Sequence, residues 1–223
     1  MLIDILADLI KKYDKDINLI SANVGSLGGI LSIAKGYSHM AGMHLLDPET
    51  GEYNIPYIKE YMDEFRLMNL SYREQGFIVQ KGNPKNIKDF KDLTKDVIRY
   101  INRQKTAGTR ILLDYYLDKY GLSPKDIHGY SDEEYSHVNL ALKIKKDMAD
   151  VGLGIKAAAN IYDLDFIPVA HERYDLLIHE SFLNDKRFEM IMNIITSKEF
   201  KKKAEELGGY SLKDTGKIWE VVR

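Results

Sequence analysis

The sequence predicts an α/β fold made of two similar halves. Short apolar runs that end in small residues alternate with segments of helical periodicity, and the connections between them are short. This alternation is typical of parallel sheets flanked by helices. The order helix, lysine-containing turn and glycine-interrupted apolar run also occurs twice, in residues 31–46 and 140–155. The repetition indicates two lobes, although any two strand–helix units share this outline.

In the first half, apolar residues three or four positions apart predict helices, and short apolar runs predict strands. Gly36 ends the second helix, Pro56 lies in the first turn of the third, and a Gly-Asn-Pro turn precedes the fourth. The predicted elements are a helix over 3–13, a strand over 16–22, a helix over 27–36, a strand over 39–47, a helix over 55–62, a strand over 66–80 and a short helix within 81–93.

The second half repeats the pattern. Gly121 ends the first of its helices, and Gly208 and Gly209 end the last. The acids Asp132 to Glu134 suit the first turn of a helix, where carboxylates complement the helix dipole. The predicted elements are a strand over 97–101, helices over 111–121 and 133–147, a strand over 148–155, a helix over 156–163, strands over 164–170 and 173–182, and one long helix over 187–209.

Composition excludes several classes of protein. With 32 Lys and Arg against 34 Asp and Glu, the net charge of −2 gives no positive excess for nucleic acid or anionic lipid. The chain has no cysteine, which excludes disulfides, thiolate metal sites and cysteine nucleophiles. The N-terminus lacks a basic region followed by an unbroken apolar core, so we expect a cytoplasmic protein. Few glutamines beside abundant lysine and glutamate suggest a thermophilic source.

The stretch "SANVGSLGG", residues 21–29, places three glycines and two serines where a helix begins. A helix N-terminus presents unpaired N–H groups and a partial positive charge, and glycines let a ligand approach the backbone. With added hydroxyls, such a loop can bind an anion without any formal positive charge. The alternative is an ordinary N-cap at Ser26 after a plain loop.

A second loop of the same kind follows the strand over 97–101. "NRQKTAGTR", residues 102–110, offers Thr106 and Thr109 around Gly108, again before a helix. Two such loops at strand ends can face each other across a cleft, where open α/β sheets usually bind ligands. Arg103, Lys105 and Arg110 add positive charge, although each could be a solvated surface residue.

Known catalytic and nucleotide signatures are missing from the sequence. Neither loop matches the dinucleotide fingerprint or the P-loop, and no nucleophile elbow or pair of catalytic carboxylates is evident. The six histidines show no metal-ligand spacing. His44 and His137 lie near the two loops, but a lone histidine is more often structural.

Taken together, several motifs resemble one family. They are "GSLGGILSIAKG", "AGMHLLDPETGEYN", "QGFIVQKGNPKNIKDFKDL", "NRQKTAGTRILLDYYL", "ADVGLGIKAAA" and "ERYDLLI", in this order along nearly the whole chain. In this order they are similar to type II periplasmic-binding-protein-like domains. The most similar subgroup is the cytoplasmic MoeA/LysR-type substrate-binding family.

The resemblance implies two lobes, each with a mixed, mostly parallel sheet flanked by helices. A hinge of two crossover strands, near Gly76–Gln80 and Arg173–Ile178, would join them. Lobe 1 would comprise residues 1–78 and 173–223, and lobe 2 residues 79–172. The ligand would lie between the lobes, with molybdate or tungstate as the associated candidates. The residues expected to bind it are Ser21, Gly25, Ser26, Leu27, Thr106, Ala107, Gly108, Thr109 and Arg110, with Tyr130 and Ser136 further out. Tyr174 is a further outer candidate, for which hinge packing is preferred.

The expected function is a sensor that closes on a small oxyanion and is linked to molybdenum or tungsten cofactor synthesis or its regulation. A fused or separate MoeA-type or DNA-binding domain would be its partner, without direct contact to nucleic acid or membrane. No cofactor other than the bound oxyanion is expected. The alternatives are a binding domain for a small organic ligand, such as a carboxylate or a pterin, an accessory enzyme domain of molybdopterin metallation, and a regulatory module with a vestigial cleft.

Overall fold

A computed structural model describes residues 1–221 of the chain. The helices are α1 (Leu2–Tyr13), α2 (Gly25–Ala34), α3 (Ile55–Lys59), α4 (Gly108–Lys119), α5 (His137–Lys145), α6 (Lys156–Ile161), α7 (Lys186–Thr196) and α8 (Lys198–Leu207). The strands are β1 (Met40–Met43), β2 (Phe65–Val79), β3 (Asn102–Arg103), β4 (Glu133–Glu134), β5 (Val151–Ile155), β6 (Asp165–Ile178), β7 (Tyr210–Ser211) and β8 (Ile218–Val221). No helix in this range is both long and apolar enough to cross a membrane.

Two long strands form the centre of the main sheet. β2 and β6 pair antiparallel from Arg66 opposite Ile178 to Val79 opposite Asp165. The strand order is β1-β6-β2-β5, and β7 and β8 also pair with β2. Every pairing in this sheet is antiparallel, so the prediction of mostly parallel sheets is wrong for it. Alternation of strands and helices does not determine strand direction, because the segment between two strands can deliver the chain to either end of the sheet.

Parallel pairing occurs in two small places in the described range. β3 and β4 form a parallel two-stranded sheet, and Tyr100 bridges Val151 in parallel. Glu133 and Glu134 therefore lie on a strand. The sequence had predicted the first turn of a helix for them, and that prediction is wrong. Helix α5 begins only at His137, where the Ser136 side chain accepts a hydrogen bond from the backbone N–H of Asn139.

Further element predictions are wrong. The segment 97–101 is not a strand, and Tyr100 within it forms an isolated bridge with Val151. Residues 164–170 and 173–182 belong largely to one strand, β6. Pro168 fits within this strand because β6 has β2 as its one partner strand there among the described residues, and its other edge does not need the N–H that proline lacks. The predicted helix over 187–209 is two helices, because Ser197 is extended and its side chain caps α8. The segment 16–22 is not a strand, and Ile20 within it is almost fully exposed.

Apolar packing lies at both ends of the long strands. At one end α1, α7 and α8 pack on Met68, Leu70 and Leu176. At the other end Phe77 and Leu153 pack with apolar residues of α4. Between these clusters the buried residues of the two strands are polar: Asn69, Ser71, Arg73 and Gln75 on β2, and Glu172 and Asp175 on β6. The lobe boundaries at residues 78/79 and 172/173 stay a prediction.

Candidate binding cleft

A cleft of about 760 Å³ reaches from the polar middle of β2 and β6 to the packed helices α1 and α7. Its helical end is apolar, with Leu2, Ile10 and Ile191 among its lining residues. Its other end, here called the polar end, is lined by His44, Arg73, Arg103, Gln104, Ser136 and His137. The cleft therefore offers charged groups at one end and an apolar wall at the other.

Arg73 is placed by the register of the two long strands. It lies on β2 directly opposite Glu172 on β6, and its Nε donates a hydrogen bond to Glu172 Oε1. The guanidinium also lies over the Tyr174 ring, 4.3 Å from its centroid. Only 7% of Arg73 is exposed, and its Nη2 is buried without a hydrogen-bond partner among the described residues. One nitrogen of this cation is therefore without a partner in a residue that lines the cleft.

Glu172 and His44 form a buried pair beside Arg73. The His44 Nδ1 lies 3.1 Å from Glu172 Oε2. Burial acts to raise the pKa of Glu172, but Arg73 and His44 outweigh it and hold that pKa at about 2. Burial lowers the pKa of His44, and Glu172 offsets part of this effect. At neutral pH the carboxylate is ionised and held by Arg73, so it is a weak base and suits binding better than proton abstraction.

Arg103 enters the polar end from β3. Its Nε donates to the Glu134 carbonyl at 3.0 Å, and its Nη2 donates to the Tyr135 carbonyl and the Gln104 side chain. These neutral acceptors orient the guanidinium without neutralising it. Burial and the charge of Arg73 lower the pKa of Arg103 to about 10. The group remains a cation at neutral pH.

His137 begins α5 and lines the same end of the cleft. Its Nδ1 is buried without a hydrogen-bond partner in the described part of the chain. Burial, followed by Arg103 and Arg73, lowers the pKa of His137 well below its usual value. The imidazole is therefore neutral at pH 7. Among residues 1–221 no group of three or more His, Asp or Glu side chains could hold a metal ion.

The first predicted loop reaches the cleft. Ser21, Gly25 and Ser26 line it, and the buried Ser26 hydroxyl accepts a hydrogen bond from the His44 backbone N–H at 3.3 Å. Leu27 instead packs against the core beneath α2. Gly25 has a φ of 75°, and a side chain there would meet the Thr106 carbonyl. The glycine is needed because the two predicted loops touch at this point.

In the second loop, both hydroxyl groups are already engaged. The Thr106 hydroxyl donates to the Val24 carbonyl at 3.1 Å, and the buried Thr109 hydroxyl accepts from Gln75. Ala107 lines the cleft, and Gly108 packs directly against His44. The structure thus brings both loops together, with the two threonine hydroxyls engaged by protein groups.

Arg110 and Tyr130 lie away from the cleft lining. The Arg110 guanidinium stacks 3.9 Å above the Tyr130 ring and contacts the carboxylates of Asp114 and Glu133. Its charge is therefore already paired. Ser136 lines the cleft and caps α5. A ligand role for these three residues remains a prediction.

Local sequence patterns do not reveal the charged centre of the cleft. They single out neither Arg73 nor Glu172, and they do not distinguish Arg103 from a solvated cation. The available signal was "LSYREQGF", in which charged residues interrupt a long apolar strand. His44 and His137 were assigned a structural role, whereas both line the cleft. Only the pairing of β2 with β6 shows that these groups meet.

Comparison with known proteins identifies related sequences. A model described as PBP superfamily domain matches residues 7–196. The uncharacterized protein YvgK of Bacillus subtilis strain 168 is 39% identical over 196 residues, which are 87% of this chain and 63% of that protein. The chain thus spans less than two thirds of that relative. An uncharacterized Clostridium pasteurianum protein, from the ferredoxin 2Fe-2S gene 5′ region, is 41% identical over 109 residues, 48% of this chain and 96% of that protein.

Solved structures with the same fold share little sequence. A putative phosphate ABC transporter substrate-binding protein from Clostridium perfringens, with bound phosphate, has a TM-score of 0.66 at 14% identity, and the match covers 92% of each chain. A phosphate transport receptor from Vibrio cholerae has a TM-score of 0.58 at 16% identity over 94% of each chain. The protein PEB3 with L-phospholactate has a TM-score of 0.58 at 14% identity over 94% of each chain. At these identities the likeness shows the fold alone.

Proposed function

This chain belongs to the PBP superfamily, and from that premise we propose that it is a binding domain whose cleft takes up a small anion. The observation that carries the proposal is the charge of the polar end. Within residues 1–221, Arg73 has an unused buried donor, and the hydrogen bonds of Arg103 go to neutral acceptors. A buried cation without a counterion is costly, and an anion would supply that counterion.

The structural relatives support this ligand class. Two of them are named for phosphate, and a third was solved with L-phospholactate. Charge-assisted hydrogen bonds contribute about 1.5–3 kcal/mol each. A micromolar complex needs about −8 kcal/mol. Arg73, Arg103, Gln104 and the Ser26 region therefore suffice after the cost of ordering the ligand is subtracted.

Within this class we propose a tetrahedral oxyanion, with molybdate and tungstate as the candidates given by the resemblance in sequence. Closure of the two lobes around the oxyanion would be favoured by its higher affinity for the closed state. A MoeA-type or DNA-binding partner, fused or separate, would read that change in shape in the cytoplasm. The role is binding and sensing and not catalysis.

A second candidate is a small organic anion such as a carboxylate or a pterin. The cleft volume of about 760 Å³ favours it, because organic ligand pockets span roughly 300–1,000 Å³. Tyr174 and Tyr210 also line the cleft and offer aromatic surface to such a ligand. The same two arginines would bind its charged group.

The test is a thermal-denaturation screen with molybdate, tungstate, phosphate, sulfate, benzoate and a pterin carboxylate. A ligand at 100 times its Kd adds about 2.7 kcal/mol of stability, which corresponds to a shift of roughly 5–11 °C for a chain of this length. Arg103→Gln should weaken the selected anion about 10- to 100-fold in calorimetric titration. Lys105→Gln removes a neighbouring exposed cation and should leave the affinity unchanged. Equal affinity of the wild type and Arg103→Gln for every anion would refute the proposal.

A further inference from the structure

The charged groups around the cleft do not cancel at the polar end. Elsewhere along the lining, Asp4 contacts the N-terminal ammonium, and Arg187 is paired with Asp185. At the polar end Glu172 contacts Arg73, and Glu134 is paired with Lys143 at 2.6 Å. Arg103 has no carboxylate within ion-pair distance among residues 1–221. With both histidines neutral, the polar end therefore carries one uncompensated positive charge.

From this charge balance, and resting on the proposed function, we propose that the cleft is selective for charge. A singly charged anionic group binds without a proton, whereas a doubly charged group binds together with one proton that is taken up by His44. The bound complex is neutral at the polar end in both cases. This balance matters because the surrounding groups are buried, where a residual charge is costly.

His44 is the group best placed to accept the proton. Its Nδ1 lies 3.1 Å from Glu172, so a proton added to the neutral ring goes to Nε2. The resulting imidazolium would lie beside an ionised carboxylate, which stabilises it. The groups that face His44 from the elements packed against it are Glu172 and Tyr174 on β6, Arg73 on β2, Arg103 on β3 and His137 on α5.

His137 is the less suitable acceptor. Among residues 1–221 it has no carboxylate partner to offset a second positive charge, and Arg103, Arg73 and His44 all oppose its protonation. Its Nδ1 is 3.3 Å from the point where a Cβ of Gly154 would lie, so that nitrogen faces the β5 backbone. The Glu172 carboxylate beside His44 therefore makes His44 the better proton acceptor of the two histidines.

The experiment compares perrhenate with tungstate, two tetrahedral oxyanions of similar size that carry one and two charges. Calorimetric titrations at pH 8, repeated in buffers of different ionisation enthalpy, count the protons taken up on binding. We expect no proton for perrhenate and about one for tungstate. From pH 7 to 8.5 the tungstate affinity should fall by up to about tenfold per pH unit, while that of perrhenate changes less than about twofold. Benzenesulfonate and phenylphosphonate form the same comparison for an organic anion at pH 8 to 9.

His44→Gln keeps an amide donor for Glu172 but cannot accept the proton. We expect it to abolish the proton uptake and the pH dependence of tungstate binding, and to retain perrhenate binding. His128→Gln, at an exposed histidine away from the cleft, should behave as the wild type. The proton count in the wild type is independent of the stability of either variant.

The outcomes separate the two proposals. Tungstate binding at pH 8 without proton uptake would overturn the charge selectivity and leave the anion-binding function standing. Proton uptake that persists in His44→Gln would overturn the assignment to His44. If Arg103→Gln leaves the affinity for all four probes unchanged, the proposed function fails, and the charge selectivity fails with it.

Discussion

Glu172 and Asp175 are two buried carboxylates three positions apart on β6, yet their surroundings differ. Glu172 faces the guanidinium of Arg73, which together with His44 holds its pKa at about 2. Asp175 accepts hydrogen bonds from the amides of Asn54 at 2.8 Å and Asn69 at 3.0 Å, and from Arg173 at 2.7 Å. Burial prevails there and raises the pKa of Asp175.

The comparison shows how one strand carries both a binding group and a structural group. Around Asp175 the donors are used within the protein, and Asn54 also accepts the backbone N–H of Leu45. That cluster fastens the chain directly after His44 to the sheet. Beside Glu172, the buried Nη2 of Arg73 has no hydrogen-bond partner among residues 1–221. A buried polar cluster with spare donors is suited to binding, whereas one with its donors engaged is suited to positioning.

The largest effect is expected from Glu172→Ala. This change leaves the buried Arg73 without its carboxylate, and breaking a buried ion pair on one side costs about 3–5 kcal/mol. Urea denaturation at pH 7 would measure the loss as a lower midpoint with an unchanged slope.

The double variant Arg73→Met/Glu172→Leu is the control for that prediction. Replacing both partners by apolar residues of similar volume should restore most of the stability while removing anion binding. If the double variant were as unstable as Glu172→Ala, the ion pair would itself be needed for the stability of the fold, like the hydrogen-bonded cluster around Asp175.

Acid should distinguish the two carboxylates by the sign of their effect. The pKa of Glu172 is lowered in the folded state from 4.5 to about 2, so its contribution of about 3 kcal/mol is complete above pH 4.5 and is lost as the pH falls toward 2. The free energy of unfolding, measured between pH 3 and 6, should therefore fall less steeply in Glu172→Gln than in the wild type. Parallel curves would contradict the expected role of Arg73.

The smallest effect is expected from Asp175→Asn, at about 1–3 kcal/mol at pH 7, since one acceptor for the amides of Asn54 and Asn69 and the guanidinium of Arg173 is lost. Because the pKa of Asp175 is raised, the folded state binds its proton more readily, and acid stabilises it through this group. The difference in unfolding free energy between wild type and variant should thus grow as the pH falls toward 3.8. A difference that shrinks on acidification would show that Arg173 dominates this site.

Local patterns in the sequence predicted many of the elements that the structure contains. The predictions of a helix over 27–36, a strand over 66–80 and a strand over 148–155 agree with α2, β2 and β5 within a few residues. The prediction of a strand over 16–22 failed because a short apolar run does not show whether a partner strand is available. The prediction of one helix over 187–209 failed because the serine that caps α8 also fits a helix interior.

The sequence by itself determined the α/β class, the resemblance to periplasmic-binding-protein-like domains at the level of the superfamily and the two small-residue loops, because these depend on short segments of the chain. Only the tertiary structure decided the antiparallel direction of the main sheet and the charged centre of the cleft. Arg73 and Glu172 are 99 positions apart and meet through the register of β2 with β6. Whether a charged residue is solvated or buried depends on which strand pairs beside it, and no local pattern records that pairing.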